Sequence, residues 1–126
     1  MLEHVHAGLA RRWWEKEDGR IAFSRFTQLG FLRLITTAAA MDGKPLSVSE
    51  AWRVYDRFFA DDRVVFVTEP AGAEERFRKL ASGRLASPKT WADAWLLATA
   101  ESSNAIVVTF DRALEKRGAR CLLSPN

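Results

Sequence analysis

Apolar residues recur along this chain with two different periods. In six segments they return every three or four residues, which is typical of helices with one buried face. These helical segments are residues 7–17, 25–39, 47–59, 73–81, 87–103 and 112–117. Short apolar runs outside these helices predict strands at 20–24, 64–68, 105–110 and 120–123. Strands that alternate with helices predict an α/β fold with a parallel or mostly parallel sheet.

Several helix ends carry the residues that capping requires. Ser47 followed by Glu50 fits a capping box, in which each side chain bonds the main-chain N–H of the other. Ser87 followed by Pro88 predicts another helix start, with serine as cap and proline in the first turn. Gly118 predicts the end of the helix at 112–117.

Length and composition indicate one domain of 126 residues, 1–126. With 48% apolar residues, five Trp and eight Phe, the chain has enough apolar surface for a core.

The single Cys121 has no partner within the chain for a disulfide, which favours a reducing compartment. No apolar run approaches the ~20 residues of a membrane span, and no signal peptide is recognised, so we expect a cytoplasmic protein. The net charge of +3 permits nucleic-acid binding without arguing strongly for it.

Two aspartates are the strongest candidates for chemistry. Asp93 lies in the first turns of the helix at 87–103, and Asp111 follows the strand at 105–110. A helix start and a strand end meet at the carboxyl edge of a parallel sheet, where open α/β folds place their sites. Two carboxylates held together repel each other unless a cation lies between them, so the pair predicts a Mg²⁺ site.

Structural roles for the same residues remain open at this stage. Asp93 would also stabilise a helix N-terminus by its charge, and Asp111 would also cap the helix at 112–117. Thr109 either bonds a carboxylate or a phosphate, or simply reflects the preference of threonine for strands.

Three further polar features have weaker claims. Arg33 lies in a mostly apolar helix, where it either pairs with a site carboxylate or substrate phosphate, or extends to water. Gln28 is a weak candidate for a water-bridged contact. His4 and His6 are expected to belong to a surface terminus rather than to a metal site. No Gly-x-Gly-x-x-Gly or Walker-type loop is present in the sequence, which disfavours a nucleotide cofactor.

Two stretches of the sequence resemble a known family. Trp-Ala-Asp-Ala-Trp-Leu-Leu-Ala at 91–98, followed by Ile-Val-Val-Thr-Phe-Asp at 106–111, is similar to the C-terminal half of PIN domains. More narrowly, these motifs resemble the VapC toxins of bacterial toxin–antitoxin pairs. Residues 24–36 resemble the second-helix region of one VapC subgroup, and the likeness extends over nearly the whole chain.

The resemblance implies a PIN-like three-layer fold, with a mostly parallel sheet flanked by helices. It implies an endoribonuclease that depends on Mg²⁺ or Mn²⁺ and hydrolyses RNA phosphodiester bonds. It also implies two protein partners, an antitoxin and a second copy in a homodimer. Asp93 and Asp111 match two of the three or four acidic residues that form the family's metal cluster, with Thr109 and Arg33 as weaker substrate-binding candidates.

Two departures from the family pattern lead to a further expectation. The sequence has no counterpart of the family's first strand, which ends in an aspartate and is central in the sheet, and the acidic residue of the second helix falls at Gly30. We therefore expect an N-terminally truncated domain with weak or no nuclease activity on its own. The alternative is a non-catalytic PIN-like protein that binds an antitoxin, or that self-associates through unpaired strand edges.

Overall fold

The computed structural model describes residues 2–83 and 85–124, and for residues 2–7 it describes the main chain alone. Within these residues, the helices and strands follow one another in the predicted order. The helices are α1 (Leu2–Lys16), α2 (Arg25–Ile35), α3 (Val48–Phe58), α4 (Ala73–Leu80), α5 (Thr90–Ser102) and α6 (Arg112–Glu115). The strands are β1 (Ile21–Ser24), β2 (Val64–Val67), β3 (Val108–Thr109) and β4 (Arg120–Cys121). None of the helices in the described part of the chain is both long and apolar enough to cross a membrane.

The chain divides into two compact units. The central unit comprises residues 18–68, and the terminal unit comprises residues 1–17 together with 69–126. Each unit contains one pair of parallel strands, β1 with β2 in the central unit and β3 with β4 in the terminal unit. The parallel pairing confirms the predicted α/β class, whereas the single domain over 1–126 stays a prediction.

Serine caps define the helix starts of the central unit. The predicted capping box is confirmed: the Ser47 hydroxyl accepts the N–H of Glu50 at 3.2 Å, and Glu50 Oε1 accepts the N–H of Ser47 at 3.0 Å. These bonds hold the pKa of Glu50 below its ordinary value. A second box, between Ser24 and Thr27, turns the end of β1 directly into α2. Local side-chain hydrogen bonds thus determine where both helices begin.

Aromatic side chains form a cluster in the central unit around buried Tyr55. The Phe23 ring of β1 lies 5.7 Å from the ring of Tyr55, 5.6 Å from that of Phe58 and 5.8 Å from that of Phe59, measured between centroids. Because buried aromatic surface contributes strongly to stability, this cluster fixes α3 against the β1–β2 pair.

Gln28 proves to be a structural residue of this unit. Its side chain is 6% exposed, and its Oε1 accepts a hydrogen bond from Arg25 Nη1 at 2.5 Å. The same Arg25 guanidinium lies 4.9 Å from the centroid of the Phe66 ring. Buried amides are normally satisfied in this way, so Gln28 has an internal role rather than the water-bridged contact considered from the sequence.

The terminal unit is built around α5. The Phe77 ring of α4 packs edge-on against Trp95 at 5.4 Å between centroids, and Arg76 Nη1 donates to the Ser102 hydroxyl at 3.0 Å. Three buried residues, Leu97 of α5 with Leu114 and Ala119 from the segment after β3, form a core. Three partly buried side chains pack against it: Leu80, Leu96 and Val107. This core holds α5, β3, α6 and β4 together.

Several elements of the terminal unit are shorter than predicted. The helix predicted at 112–117 ends at Glu115, and the strand predicted at 120–123 ends at Cys121. The Thr90 hydroxyl accepts the N–H of Ser87 at 2.8 Å, so the residues from Ser87 to Lys89 form a turn and α5 begins only at Thr90. The strand predicted at 105–110 is reduced to Val108–Thr109. Asn104 adopts a left-handed conformation with φ of 58°, and the chain closes a turn there before the strand begins.

Candidate metal centre

Asp111 lies between β3 and α6 and is held from two sides. Its main-chain N–H donates to the Thr109 hydroxyl at 3.0 Å. Its Oδ1 accepts the N–H of Ala113 at 2.9 Å, which makes Asp111 the N-cap of α6. The structural role considered for Asp111 is therefore confirmed. The cap also fixes the carboxylate, because the bond to Oδ1 determines the direction in which Oδ2 points.

Lys89 is the other partner of this carboxylate. Its Nζ donates to Asp111 Oδ2 in an ion pair whose lysine side chain is 64% exposed and whose aspartate side chain is 24% exposed. Lys89 immediately precedes α5, and its main-chain carbonyl accepts the N–H of Asp93 at 3.0 Å. Lys89 was not among the candidates predicted from the sequence, although its position four residues before Asp93 places it one helical turn from a candidate ligand.

Electrostatics connect both aspartates to the same ammonium group. The hydrogen bond from Lys89 lowers the pKa of Asp111, and the N–H of Ala113 lowers it further. The pKa of Lys89 is raised, first by its hydrogen bond to Asp111 and then by the charges of Asp111 and Asp93. The structure thus brings the half-buried Asp93 and Asp111 within the electrostatic reach of Lys89, inside the terminal unit.

The remaining sequence candidates have different positions. Thr109 supports Asp111 through the main chain, by the hydrogen bond described above, and its contact with a phosphate stays a prediction. Arg33 lies on α2 in the central unit with an exposed side chain, which agrees with the alternative that this side chain extends to water. A Cβ added at Gly30 would meet nothing within 4 Å, so this position has room for a side chain. The side chains of His4 and His6 lie outside the described residues.

The donors at this position suit a hard divalent cation. Mg²⁺ prefers carboxylate oxygen and commonly takes one or two carboxylates, with water and substrate phosphate as its other ligands. Asp93 and Asp111 match that donor set. In residues 2–83 and 85–124, no group of three or more His, Cys, Asp and Glu side chains is arranged to hold a metal ion. A cation here would therefore rely on these two carboxylates and on non-protein oxygens.

The ion pair predicts a pH-dependent part of the stability. Because the folded pKa of Asp111 lies below its ordinary value of 3.8, the contribution is present above that value and is lost as the pH falls through the folded pKa. We expect the wild-type chain to be more stable to urea than Asp111→Asn at about pH 7, and this difference to shrink below about pH 4. Because asparagine at position 111 can still cap α6, the difference in stability between the two proteins reports the loss of the negative charge. A difference independent of pH would contradict the pairing.

Comparisons with known proteins identify the family. The chain matches the PIN domain family over residues 1–119. It is 38% identical over 121 residues to Ribonuclease VapC41 of Mycobacterium tuberculosis strain CDC 1551 / Oshkosh, an alignment that covers 91% of this chain and 83% of the relative. The same values hold for Ribonuclease VapC41 of strain ATCC 25618 / H37Rv. The resemblance stated from the sequence is thereby confirmed, and the chain belongs to the VapC-type ribonucleases of the PIN domain family.

Proposed function

We propose that this chain is a toxin-type endoribonuclease that hydrolyses RNA phosphodiester bonds with a Mg²⁺ or Mn²⁺ ion bound by Asp93 and Asp111. The observation that carries the proposal is the ion pair of Asp111 with the Lys89 ammonium, together with the place of Asp93 one helical turn after Lys89, in a chain of the PIN family. The charges of both carboxylates favour the charged form of Lys89, and a position that favours one cation is suited to another.

The residues of the chain prepare this position before an ion binds. The Ala113 N–H and the Thr109 hydroxyl orient Asp111, and α5 carries Asp93 in its first turn. When bound, the cation would orient the scissile phosphate, activate a water molecule and stabilise the charge that develops during hydrolysis. The fixed orientation of the Asp111 carboxylate supports this role because metal sites depend on preorganised ligands.

Cationic side chains follow the site along α6. Arg112 and Lys116 are exposed, and both belong to the segment that begins directly after Asp111. Phosphate contacts supply much of the affinity of proteins for nucleic acids, so these residues support an RNA substrate. Because RNA is an intracellular polymer and Cys121 has no disulfide partner in the sequence, we place the protein in the cytoplasm.

Protein partners belong to the same proposal. The VapC family implies an antitoxin, and we further propose that the chain forms a homodimer. Exposed apolar side chains of the central unit support a protein contact: Leu29 is 60% exposed, Leu34 55%, Val48 71% and Trp52 45%. One chain has a mass of 14.2 kDa, and light scattering on the purified protein should give twice that mass. A monomer at all concentrations would contradict self-association.

Cleavage of an end-labelled structured RNA tests the function directly. We expect slow cleavage with Mg²⁺ or Mn²⁺ and none with EDTA, since two carboxylates provide an incomplete ligand set. Products should carry 5′-phosphate and 3′-hydroxyl ends, because water attacks the phosphate. Cleavage that persists in EDTA, or that leaves 2′,3′-cyclic phosphates, would contradict the proposal.

A further inference from the structure

The Lys89–Asp111 ion pair has a consequence for cation binding. We propose that the Lys89 ammonium is the resting counter-ion of Asp111, and that a divalent cation enters the site by displacing it. This inference rests on the proposed function, because it assigns a residue that controls access to the same two carboxylates.

The geometry leaves the ammonium and an incoming ion in competition. Oδ1 of Asp111 already accepts the N–H of Ala113, and Lys89 Nζ contacts Oδ2. An ammonium and a dication on the same oxygen would lie within about 4 Å of each other, where like charges repel strongly at a partly buried carboxylate. Occupation of Asp111 by a cation therefore requires Lys89 to move.

The surroundings of Lys89 allow that movement. Its side chain is 64% exposed, whereas the Asp111 side chain is 24% exposed and fixed by its cap. Lysine has a long flexible stem and a strongly hydrated ammonium, so it readily exchanges a surface carboxylate for water. Lys89 is thus the mobile member of the pair, and Asp111, the proposed metal ligand, is the fixed member.

Another lysine of the same unit provides a matched comparison. Lys79 Nζ lies 3.7 Å from Glu75 Oε1, in a pair one turn apart on α4 with both side chains 77% exposed. This is an ordinary helical pair whose partner is not a proposed ligand. Lys89 instead pairs with a residue 22 positions away in the sequence, and the two partners immediately precede α5 and α6. Removal of the Lys79 charge therefore controls for the general effect of losing one positive charge.

The proposal predicts tighter cation binding when the charge at position 89 is removed. We expect Lys89→Met and Lys89→Gln to lower the dissociation constant for Mn²⁺ by roughly three- to tenfold at low ionic strength, and by less at higher salt. Lys89→Arg, which keeps the charge, and Lys79→Met should bind Mn²⁺ within about twofold of the wild-type chain.

Mn²⁺ titration of the full chain without RNA, followed by electron paramagnetic resonance, measures this directly. Circular dichroism confirms that each variant is folded. Tighter binding by both neutral variants, lost again on adding Asp111→Asn, supports the proposal. Equal or weaker binding by both overturns it. In that case, if the wild-type chain binds Mn²⁺ and cleaves RNA through Asp111, the result contradicts the role of Lys89 but not the proposed metal site. If neither the wild-type nor the neutral variants bind Mn²⁺ through Asp111, the proposed metal site falls as well.

Discussion

Asp111→Asn should lower the rate of Mg²⁺-dependent RNA cleavage about a hundredfold or more, and Asp93→Asn should do the same. Asparagine has nearly the size of aspartate but no negative charge, so each change removes a proposed ligand with little change in packing. At position 111 the side-chain oxygen of asparagine still caps α6 by accepting the N–H of Ala113. Initial rates on an end-labelled RNA, measured at high protein concentration, give the loss.

A matched aspartate outside the site separates this effect from a general loss of charge. Asp56 lies on α3 in the central unit with an exposed side chain. Asp56→Asn should therefore cleave RNA at the wild-type rate. Full activity in either Asp93→Asn or Asp111→Asn would remove that residue from the proposed ligand set.

Leu114→Ala should destabilise the chain by about 2–4 kcal/mol. Leu114 is 3% exposed and packs in the core of the terminal unit with Leu97 and Ala119. Truncation of such a leucine removes buried apolar surface and leaves a cavity. Urea denaturation should show a lower midpoint with a similar slope, because the change affects stability more than the exposed surface.

The consequence of Leu114→Ala extends to the site. Leu114 belongs to α6, whose N-cap is Asp111, so loosening of this helix should also weaken cation binding through Asp111. Leu85→Ala is the control, since Leu85 is 94% exposed and its truncation should change stability by less than about 0.5 kcal/mol. A cost for Leu114→Ala as small as that of the control would show that the described core does not support the site.

The elements of this fold were predictable because their signals are local. Helical and strand periodicity identified every element of the described chain, and the capping box of Ser47 and Glu50 placed the start of α3. The predicted ends failed where a local hydrogen bond competes with the helix. α2 was predicted to extend to residue 39 but ends at Ile35, because the Thr36 hydroxyl bonds the carbonyl of Leu32 at 2.8 Å.

The candidate site was only partly predictable. Asp93 and Asp111 follow from a helix start and a strand end, and the capping role of Asp111 follows from its place before α6. The contact with Lys89 depends on how α5 and the β3–α6 segment pack in three dimensions, which no local pattern specifies. Burial of Arg33 was considered from its apolar neighbours, but α2 presents it to solvent.

The central claim is that Asp93 and Asp111 together bind one divalent cation. Isothermal titration with Mn²⁺ of the wild-type chain, Asp93→Asn, Asp111→Asn and the double variant tests it most directly, because it does not depend on the RNA chosen. The account predicts one site in the wild-type chain, at least tenfold weaker binding in each single variant, and no further loss beyond background in the double variant. Binding of equal strength in the wild-type chain and the double variant would contradict it.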